Sequence, residues 1–517
     1  MRVFGKRRGR ATVAGLVTAT VAALLPAATG PAAAAEGGTR VPARYTEQRL
    51  NWHACDGAPS LECAVMTVPR DWHHPADGPD IGISVSRHRA AGPAARRGVL
   101  MMAAGGPGGQ GLTRPAGFAE RSPAVAAAYD IVSFNQRGLP LSTPLRCQTP
   151  AEFDAFFGDD SRDRSPAAVR ATVRRSRELA RACHERGGGL APYLTTDQTV
   201  RDMDLFRALL GARTIAYYGP SYAAMIGAYY ATEFPHRVDR LVLDSPVGFD
   251  GTWQTFETGQ PLSFQRRFEQ DFLPWLAARD ATYHYGRTAA AAEAKWEARR
   301  RALGAHPADL GGGRRMTANR LDFGTGQALY NTARGFAPLA TALAALDHWG
   351  TATAAERDTA GKVFGGYLSP EFLAEFTAVT CNDTPWSRDM AGWVRRTAAY
   401  TARYPLVGAR SLAFAATCAA WPASRAPRVR VSGAGLPPTL MLASRHDPAA
   451  HYEGALRAHR ALRGSRLVTV AGGDHGQYQN GNACVDALVG RYLLTGAAPA
   501  GNVSCPQPAR PASEADQ

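Results

Sequence analysis

The chain has 517 residues, of which 45% are hydrophobic and 20% are charged, a balance typical of a globular protein and not of a disordered one. Its formal net charge is +15, yet no basic block is interleaved with aromatic residues, so we predict no nucleic-acid partner. The length allows a large core, folded either as one big domain with an insertion or as two domains.

The start of the chain is typical of an export signal. Basic residues within 2–10 precede an apolar stretch at 11–25 and four alanines at 32–35. The apolar stretch is shorter than the ~20 residues that span a bilayer. We therefore predict a signal peptide at 1–35, no stable membrane anchor after its removal, and a secreted, extracellular protein. A membrane anchor is the alternative, and the Arg7-Arg8 pair leaves both the Sec and the twin-arginine export routes open.

The eight cysteines suggest disulfides, because an exported chain matures in an oxidising compartment. None of them has the spacing of a metal site, and we predict neither a metal nor a cofactor. The sequence does not determine the connectivity. Sequential pairing is the simplest hypothesis and gives Cys55–Cys63, Cys147–Cys183, Cys381–Cys418 and Cys484–Cys505.

Short apolar runs along the chain predict a mostly parallel α/β sheet. Residues 41–95 alternate apolar and polar positions, which is typical of antiparallel strands around a turn at 75–79. The later runs are separated by helical stretches, a pattern that favours parallel pairing. The expected strands include 64–68, 81–85, 98–104, 129–134, 215–218, 238–244, 439–443 and 466–470.

Between about residues 250 and 430 the strands give way to a helical pattern rich in alanine and arginine. We predict that this segment is a helical cap inserted into the sheet domain. The expected division is a signal peptide at 1–35, the first part of the core at 36–250, the cap at 251–430, the C-terminal part of the core at 431–505, and a flexible tail at 506–517.

Ser221 lies in a run typical of a nucleophile elbow, a sharp strand-to-helix turn that lifts a serine above a sheet. The strand at 215–218 stops at Gly219, and a helix-forming apolar segment follows the serine. The turn is crowded, so the residues two before and two after the serine must be small, as Gly219 and Ala223 are. Such a pattern also occurs by chance, so its weight depends on an acid and a base later in the chain.

Two later strands are followed by candidates for that acid and base. Asp447 comes after the strand at 439–443 and precedes a proline, which suits the orienting acid of a triad. His475 lies past the strand at 466–470 in a glycine-rich loop, which suits a general base. The order Ser, Asp, His is that of an α/β-hydrolase. Asp474 is the rival acid, although it would more easily cap the loop beside His475.

Preorganised N–H donors are also required, because the attack of a serine on a carbonyl group creates an oxyanion. The N–H of Tyr222 is one candidate. The second is expected in the loop at 105–109, with Gly106 as the first choice. This loop lacks the spacing of a phosphate-binding loop.

Several motifs, taken together, are specific to one family. They are Val68-Pro69-Arg70-Asp71-Trp72, Gly105-Gly106-Pro107-Gly108-Gly109, Phe134-Asn135-Gln136-Arg137-Gly138 with Ser142-Thr143-Pro144, Thr195-Thr196-Asp197 with Arg201-Asp202-Met203-Asp204, the elbow, Asp447-Pro448 and Gly473-Asp474-His475-Gly476. In them the chain resembles the secreted tripeptidyl aminopeptidases, a branch of the α/β-hydrolases related to proline iminopeptidases. The resemblance implies a mostly parallel central sheet with a helical cap, and a serine exopeptidase that releases short peptides from free N-termini.

The chain also departs from the family pattern. The family usually has glycine where Ala223 stands and Asp-Pro-Arg-Gly where residues 135–138 stand, and it has different residues before the glycine loop, at 103–104. None of these changes removes a catalytic group. An altered glycine loop would shift the oxyanion hole and the substrate preference, so the alternative is a secreted esterase or amidase acting on a small molecule.

An exopeptidase must hold the α-ammonium group of its substrate, which calls for a carboxylate near the cap. Asp383, Glu257 and Glu375 are the candidates, although the sequence favours an ordinary surface acid at each of them. The expected partner is therefore a peptide or small-molecule substrate. A non-catalytic binding protein of the same fold is a third hypothesis, against which the intact order of serine, acid and base argues.

Overall fold

The computed structural model describes residues 41–92, 96–311, 314–365, 369–422 and 426–508. The signal peptide predicted at 1–35 and most of the tail predicted at 506–517 lie outside the described residues. None of the helices in these ranges is long and apolar enough to cross a bilayer.

Twelve strands are present in the described ranges. They are β1 (His53–Cys55), β2 (Ala58–Pro69), β3 (Asp80–His88), β4 (Gly98–Met102), β5 (Tyr129–Phe134), β6 (Ile215–Pro220), β7 (Val238–Asp244), β8 (Ala308–Gly311), β9 (Arg314–Met316), β10 (Thr439–Ser444), β11 (Ser465–Val470) and β12 (Val503–Cys505).

Ten of these strands form one sheet in the order β1-β2-β3-β5-β4-β6-β7-β10-β11-β12. The pairs from β1 to β5 are antiparallel, and every pair from β5 to β12 is parallel. In β2 many residues on one face are exposed, whereas all six residues of β10 are buried. This is the difference expected between an antiparallel flank and a parallel centre covered on both faces. The prediction of a mostly parallel sheet is confirmed.

The described helices are α1 (Ala43–Thr46), α2 (Arg114–Arg121), α3 (Pro123–Ala128), α4 (Pro150–Gly158), α5 (Pro166–Arg186), α6 (Thr196–Leu209), α7 (Tyr222–Glu233), α8 (Trp253–Arg267), α9 (Leu273–Ala277), α10 (Asp280–Tyr283), α11 (Ala289–Ala305), α12 (Ala318–Ala328), α13 (Ala337–Asp347), α14 (Ala354–Gly365), α15 (Pro370–Asp383), α16 (Met390–Arg403), α17 (Ser411–Ala420), α18 (Tyr452–Ala461) and α19 (Ala483–Thr495). Five 3₁₀ and π segments lie at Ala191–Tyr193, Pro235–Arg237, Phe268–Phe272, Thr332–Phe336 and Gly408–Arg410.

The insertion between β7 and β10 contains α8 to α17 and builds a hydrophobic core of its own. Phe264, Phe268 and Phe272 are fully or almost fully buried in this core, and Phe268 packs against Trp296 with ring centroids 5.3 Å apart. The insertion also contains a hairpin, β8–β9, that the helical pattern did not predict. By contrast, Leu373 of α15 packs into the main core, so this helix joins the insertion to the sheet.

Four disulfides hold the described part of the chain together, and they join the cysteines in sequential order. They are Cys55–Cys63, Cys147–Cys183, Cys381–Cys418 and Cys484–Cys505. The third pair ties α15 to α17, two helices that contribute walls to the cavity described below.

Candidate active site

Ser221 stands at a sharp turn between β6 and α7, and its backbone has a φ of 62° and a ψ of −127°. A non-glycine residue in this region is strained, and such strain is typical of a nucleophile elbow. The turn is as crowded as the sequence predicts. A Cβ atom at Gly219 would come within 2.5 Å of the carbonyl oxygen of Ala223. The extra methyl group of Ala223 is fully buried in the main core, and its backbone oxygen accepts a hydrogen bond of 2.7 Å from Tyr217.

The structure brings Asp447 and His475 into direct contact. Nδ1 of His475 lies 2.9 Å from each carboxylate oxygen of Asp447. The backbone N–H groups of Ala449 and Ala450 donate to Oδ1 of Asp447, at 2.9 and 2.8 Å, and hold the carboxylate in place. Burial lowers the pKa of His475, but the charge and hydrogen bond of Asp447 outweigh it, so the pKa is raised overall. This pair can hold an imidazole with Nε2 free to take a proton.

Asp474, the alternative candidate for the orienting acid, binds residues of the insertion. Its Oδ1 accepts a 2.6 Å hydrogen bond from Arg267 and a 2.9 Å bond from the backbone N–H of Thr332. Arg267 and Thr332 both belong to the insertion. Asp474 therefore attaches the loop that carries His475 to the insertion, and its carboxylate does not orient the imidazole ring.

The glycine loop lies against the nucleophile. A Cβ atom at Gly105 would come within 2.9 Å of Ser221 Cβ, and one at Gly108 within 2.8 Å of the carbonyl oxygen of Phe372. Gly106 has a φ of 122°, a conformation that favours glycine. Tyr222 is the first residue of α7, so its N–H has no acceptor within the helix. Gly106 and Tyr222 stay the predicted oxyanion donors.

Asp244, a residue not predicted from the sequence, links the nucleophile to the base. Asp244 ends β7; its backbone oxygen accepts a 2.8 Å hydrogen bond from the N–H of Ser221. Its carboxylate accepts from the N–H groups of Gln477 at 2.8 Å and Tyr478 at 3.0 Å, just past His475. Burial raises the pKa of Asp244 to about 6, although these N–H donors oppose the rise. The sequence feature that could have indicated this role is the position of Asp244, a charged residue at the end of an apolar strand.

We expect Asp244→Ala to damage both stability and turnover, because it leaves two buried N–H groups without an acceptor. The free energy of unfolding should fall by about 2–4 kcal/mol, and kcat by about 10- to 100-fold through misplacement of His475. Thermal denaturation and ester hydrolysis measure the two effects, and Asp244→Asn, which keeps one acceptor oxygen, should recover part of each. A lower melting temperature with unchanged kcat would mean that Asp244 has a structural role alone.

A cavity of about 620 Å³ opens over Ser221 and His475. Much of its wall is aromatic and comes from the insertion. These aromatic residues are Phe256, Phe323, Tyr330, Phe372, Phe376 and Phe414. The ring of Tyr330 meets the imidazole of His475 edge-on, with centroids 5.0 Å apart. The insertion therefore lines the cavity that contains the serine.

The three acids proposed to hold an ammonium group lie in different places, and the expectation that they are surface acids is wrong. All three are buried: the exposed fraction is 6% for Glu257, 0% for Glu375 and 7% for Asp383. Only Glu257 lines the cavity with Ser221. Asp383 accepts hydrogen bonds from the backbone N–H and the hydroxyl of Thr196, so its carboxylate already has partners within the protein. Glu375 is enclosed near Gly138, and burial raises its pKa well above the ordinary value.

The fold and this arrangement of residues define the protein as a serine hydrolase with the α/β-hydrolase fold. Comparison with known proteins identifies the family within this class. A family model described as TAP-like protein matches residues 404–505. Tripeptidyl aminopeptidase of Streptomyces coelicolor is 35% identical over 492 residues, which cover 92% of this chain and 90% of that protein. The chain belongs to the tripeptidyl aminopeptidase family.

Two mycobacterial relatives carry other names. Carboxylesterase B of Mycobacterium tuberculosis is 30% identical, over 86% of each chain. Serine protease Hip1 of the same species is 27% identical, over 95% of this chain and 97% of that protein. Members of the wider group are therefore named for peptide and for ester hydrolysis.

Proposed function

We propose that this serine hydrolase is an exported aminopeptidase that releases short peptides, tripeptides in particular, from free N-termini. One observation carries the proposal. Glu257 is the single carboxylate among the described residues that line the cavity with Ser221 and His475. The names of the Streptomyces relative and of Hip1 support the same reading.

The reaction would proceed through an acyl-enzyme. Oγ of Ser221 attacks the scissile carbonyl carbon while Nε2 of His475 takes its proton, and Asp447 stabilises the imidazolium. The oxyanion accepts hydrogen bonds from the N–H groups of Tyr222 and Gly106. His475 then gives the proton to the departing amine as the C–N bond breaks. Water, activated by His475, hydrolyses the ester on Ser221 and frees the N-terminal peptide.

Glu257 has the properties needed to hold an α-ammonium group. Its Oε1 is buried without a hydrogen-bond partner among the described residues. Burial raises the pKa of Glu257 to about 7, although the nearby Arg410 lowers it. An ammonium group arriving from the substrate would supply the missing partner and favour the ionised carboxylate. Because the anchor lies at a fixed place in the cavity, it would also set how many residues reach Ser221.

We expect Glu257→Gln to raise KM for peptides with a free N-terminus, with a fall in kcat/KM of about 100-fold. Hydrolysis of a short acyl ester should change little, because an ester has no ammonium group. In the wild type, kcat/KM for the free peptide should fall as the pH drops through about 7, where Glu257 becomes protonated. This fall should add to that caused by protonation of His475.

The control for this experiment is Glu269→Gln, which changes an exposed acid in the same insertion. This variant should leave kcat/KM for the peptide and for the ester, and the pH profiles of both reactions, unchanged. Equal losses on the peptide and the ester in Glu257→Gln would show a general structural role for Glu257 and would remove the main support for the aminopeptidase proposal.

A second candidate function is hydrolysis of a small ester or amide. The identity with carboxylesterase B favours it. Chromogenic tripeptide anilides and short acyl esters distinguish the two functions. If the esters alone are turned over, and acetylation of the peptide N-terminus makes no difference, the peptidase proposal fails and the second candidate replaces it.

Export is supported by the four disulfides, because such bonds persist in oxidising compartments. Fractionation of the producing cells, with N-terminal sequencing of the secreted protein, tests both export and the cleavage after residue 35. A protein found only in the cytoplasm, with its first 35 residues intact, would contradict export.

A further inference from the structure

The cavity over Ser221 carries more positive charge than its one acid balances. Four arginines line it, against the single carboxylate of Glu257; they are Arg114, Arg121, Arg334 and Arg410. Within the described ranges none of the four forms an ion pair with a carboxylate. Arg114 and Arg410 are partly buried, and Arg121 and Arg334 are exposed. An arginine directed into a cavity without an anionic partner is well suited to bind one from the solvent.

Three of these arginines form a group, which we call the guanidinium cluster: Arg114, Arg121 and Arg334. Nε of Arg121 donates to Gln479 at 3.2 Å, and Nη2 of Arg334 donates to Asn480 at 2.6 Å, so adjacent residues hold the two side chains. Burial lowers the pKa of Arg114, and the like charge of Arg121 lowers it further. The amides of Gln479 and Asn480 are neutral and leave the positive charge of the cluster uncompensated.

Arg410 has a different setting. Its Nη2 donates to Gln260 at 3.0 Å, and the charges of Arg410 and Glu257 attract each other. The positive charge of Arg410 is therefore offset within the cavity. The cavity thus contains one acid and one cation whose charges offset each other without direct contact, Glu257 and Arg410, and one group of three cations, two of which donate to residues 479–480.

We propose that the guanidinium cluster binds a carboxylate in the leaving part of the peptide substrate. Guanidinium groups match the geometry of carboxylates and bind them through paired hydrogen bonds. Gln479 and Asn480, which bind Arg121 and Arg334, follow His475 by a few positions, so the cluster lies beside the loop of the base that protonates the leaving amine. This inference rests on the proposed function, because Glu257 would hold the positive end of the same substrate.

Such a carboxylate has two sources, an acidic side chain or the C-terminus of a short peptide. Four peptides that share one N-terminal tripeptide distinguish them. Their leaving parts are Asp-Ala-amide, Asn-Ala-amide, Ala-Ala with a free C-terminus, and Ala-Ala-amide. We expect each peptide with a carboxylate to exceed its neutral partner by about tenfold in kcat/KM, through KM. High salt should reduce the advantage.

The variants Arg121→Gln and Arg334→Gln should each remove most of this advantage and leave the neutral peptides almost unchanged. Arg460→Gln, which alters an exposed arginine of α18, is the control and should behave as the wild type. Arg121 lies in α2 and Arg334 in the π segment at Thr332–Phe336, so a folding defect in one variant would not affect the test with the other. An advantage that persists in both variants would overturn the assignment of the cluster.

The tripeptide anilide has no carboxylate and separates the two claims. If the anilide is cleaved and charged and neutral peptides are cleaved equally well, the carboxylate site is wrong and the aminopeptidase function stands. If neither the anilide nor any of the four peptides is cleaved, the proposed function itself fails.

Discussion

Ser221→Ala is expected to reduce kcat by about 10⁶-fold, to the level that binding and the oxyanion donors alone provide. The side chain at this position is held by a turn whose backbone is strained at a φ of 62°. Ser221 is the only serine among the described residues that line the cavity, so no second serine hydroxyl is at hand to replace it. Burst kinetics with an activated ester measure the loss directly, because the acyl-enzyme cannot form without Oγ. Labelling by a fluorophosphonate should disappear in the same variant.

The control for this experiment is Ser387→Ala, which removes the hydroxyl of an exposed serine in the insertion. It should keep both the label and the turnover. If the label persisted on folded Ser221→Ala with its disulfides intact, another residue would be the nucleophile. If the wild type were never labelled, a binding protein without catalytic activity would become the better explanation.

Asp447→Asn has the second largest expected effect, a fall in kcat of about 10⁴-fold. The carboxylate accepts from Nδ1 of His475 and from two backbone N–H groups. An asparagine amide would place a donor against that ring or those N–H groups, so the imidazole would be held in the wrong tautomer or released. The pKa of His475 should also fall, since Asp447 is what raises it against burial. The acid limb of the pH–rate profile should therefore move to lower pH.

Asp474→Asn is the matched comparison, because Asp474 adjoins His475 but binds Arg267 and Thr332. We expect kcat to stay within about tenfold of the wild type. The free energy of unfolding should fall by about 1–3 kcal/mol, since a buried arginine loses one partner and retains Asp271 at 2.7 Å. Steady-state kinetics and thermal denaturation test both variants. An inactive Asp474→Asn beside an active Asp447→Asn would make Asp474 the orienting acid.

The central sheet could be predicted because its strands are long and apolar. The runs at 98–104 and 439–443 became β4 and β10, whose burial on both faces explains their composition. The short strands β1 and β12 could not be predicted, because three residues carry too little pattern. Their pairing depends on neighbours that are close in the fold. The hairpin β8–β9 was missed for the same reason.

Some residues of the candidate site could also be predicted from the sequence, and others could not. Ser221, Asp447 and His475 each follow a recognisable strand, so their order alone indicates the chemistry. The burial of Glu375 and Asp383 depends on how α15 packs between the insertion and the core, which local sequence does not express. The guanidinium cluster brings Arg334 of the insertion to the two arginines at the ends of α2, Arg114 and Arg121, and spacing along the chain gives no sign of this contact between distant segments.

A serine exopeptidase of the kind proposed requires a free N-terminus on its substrate. Digestion of a peptide library, with each peptide present in free and N-acetylated form, tests it most directly when the products are read by mass spectrometry. We expect release of tripeptides from the free peptides, no cleavage of the acetylated ones, and no tripeptide from either form with Ser221→Ala. Equal cleavage of free and acetylated peptides, or cleavage at internal sites, would contradict it.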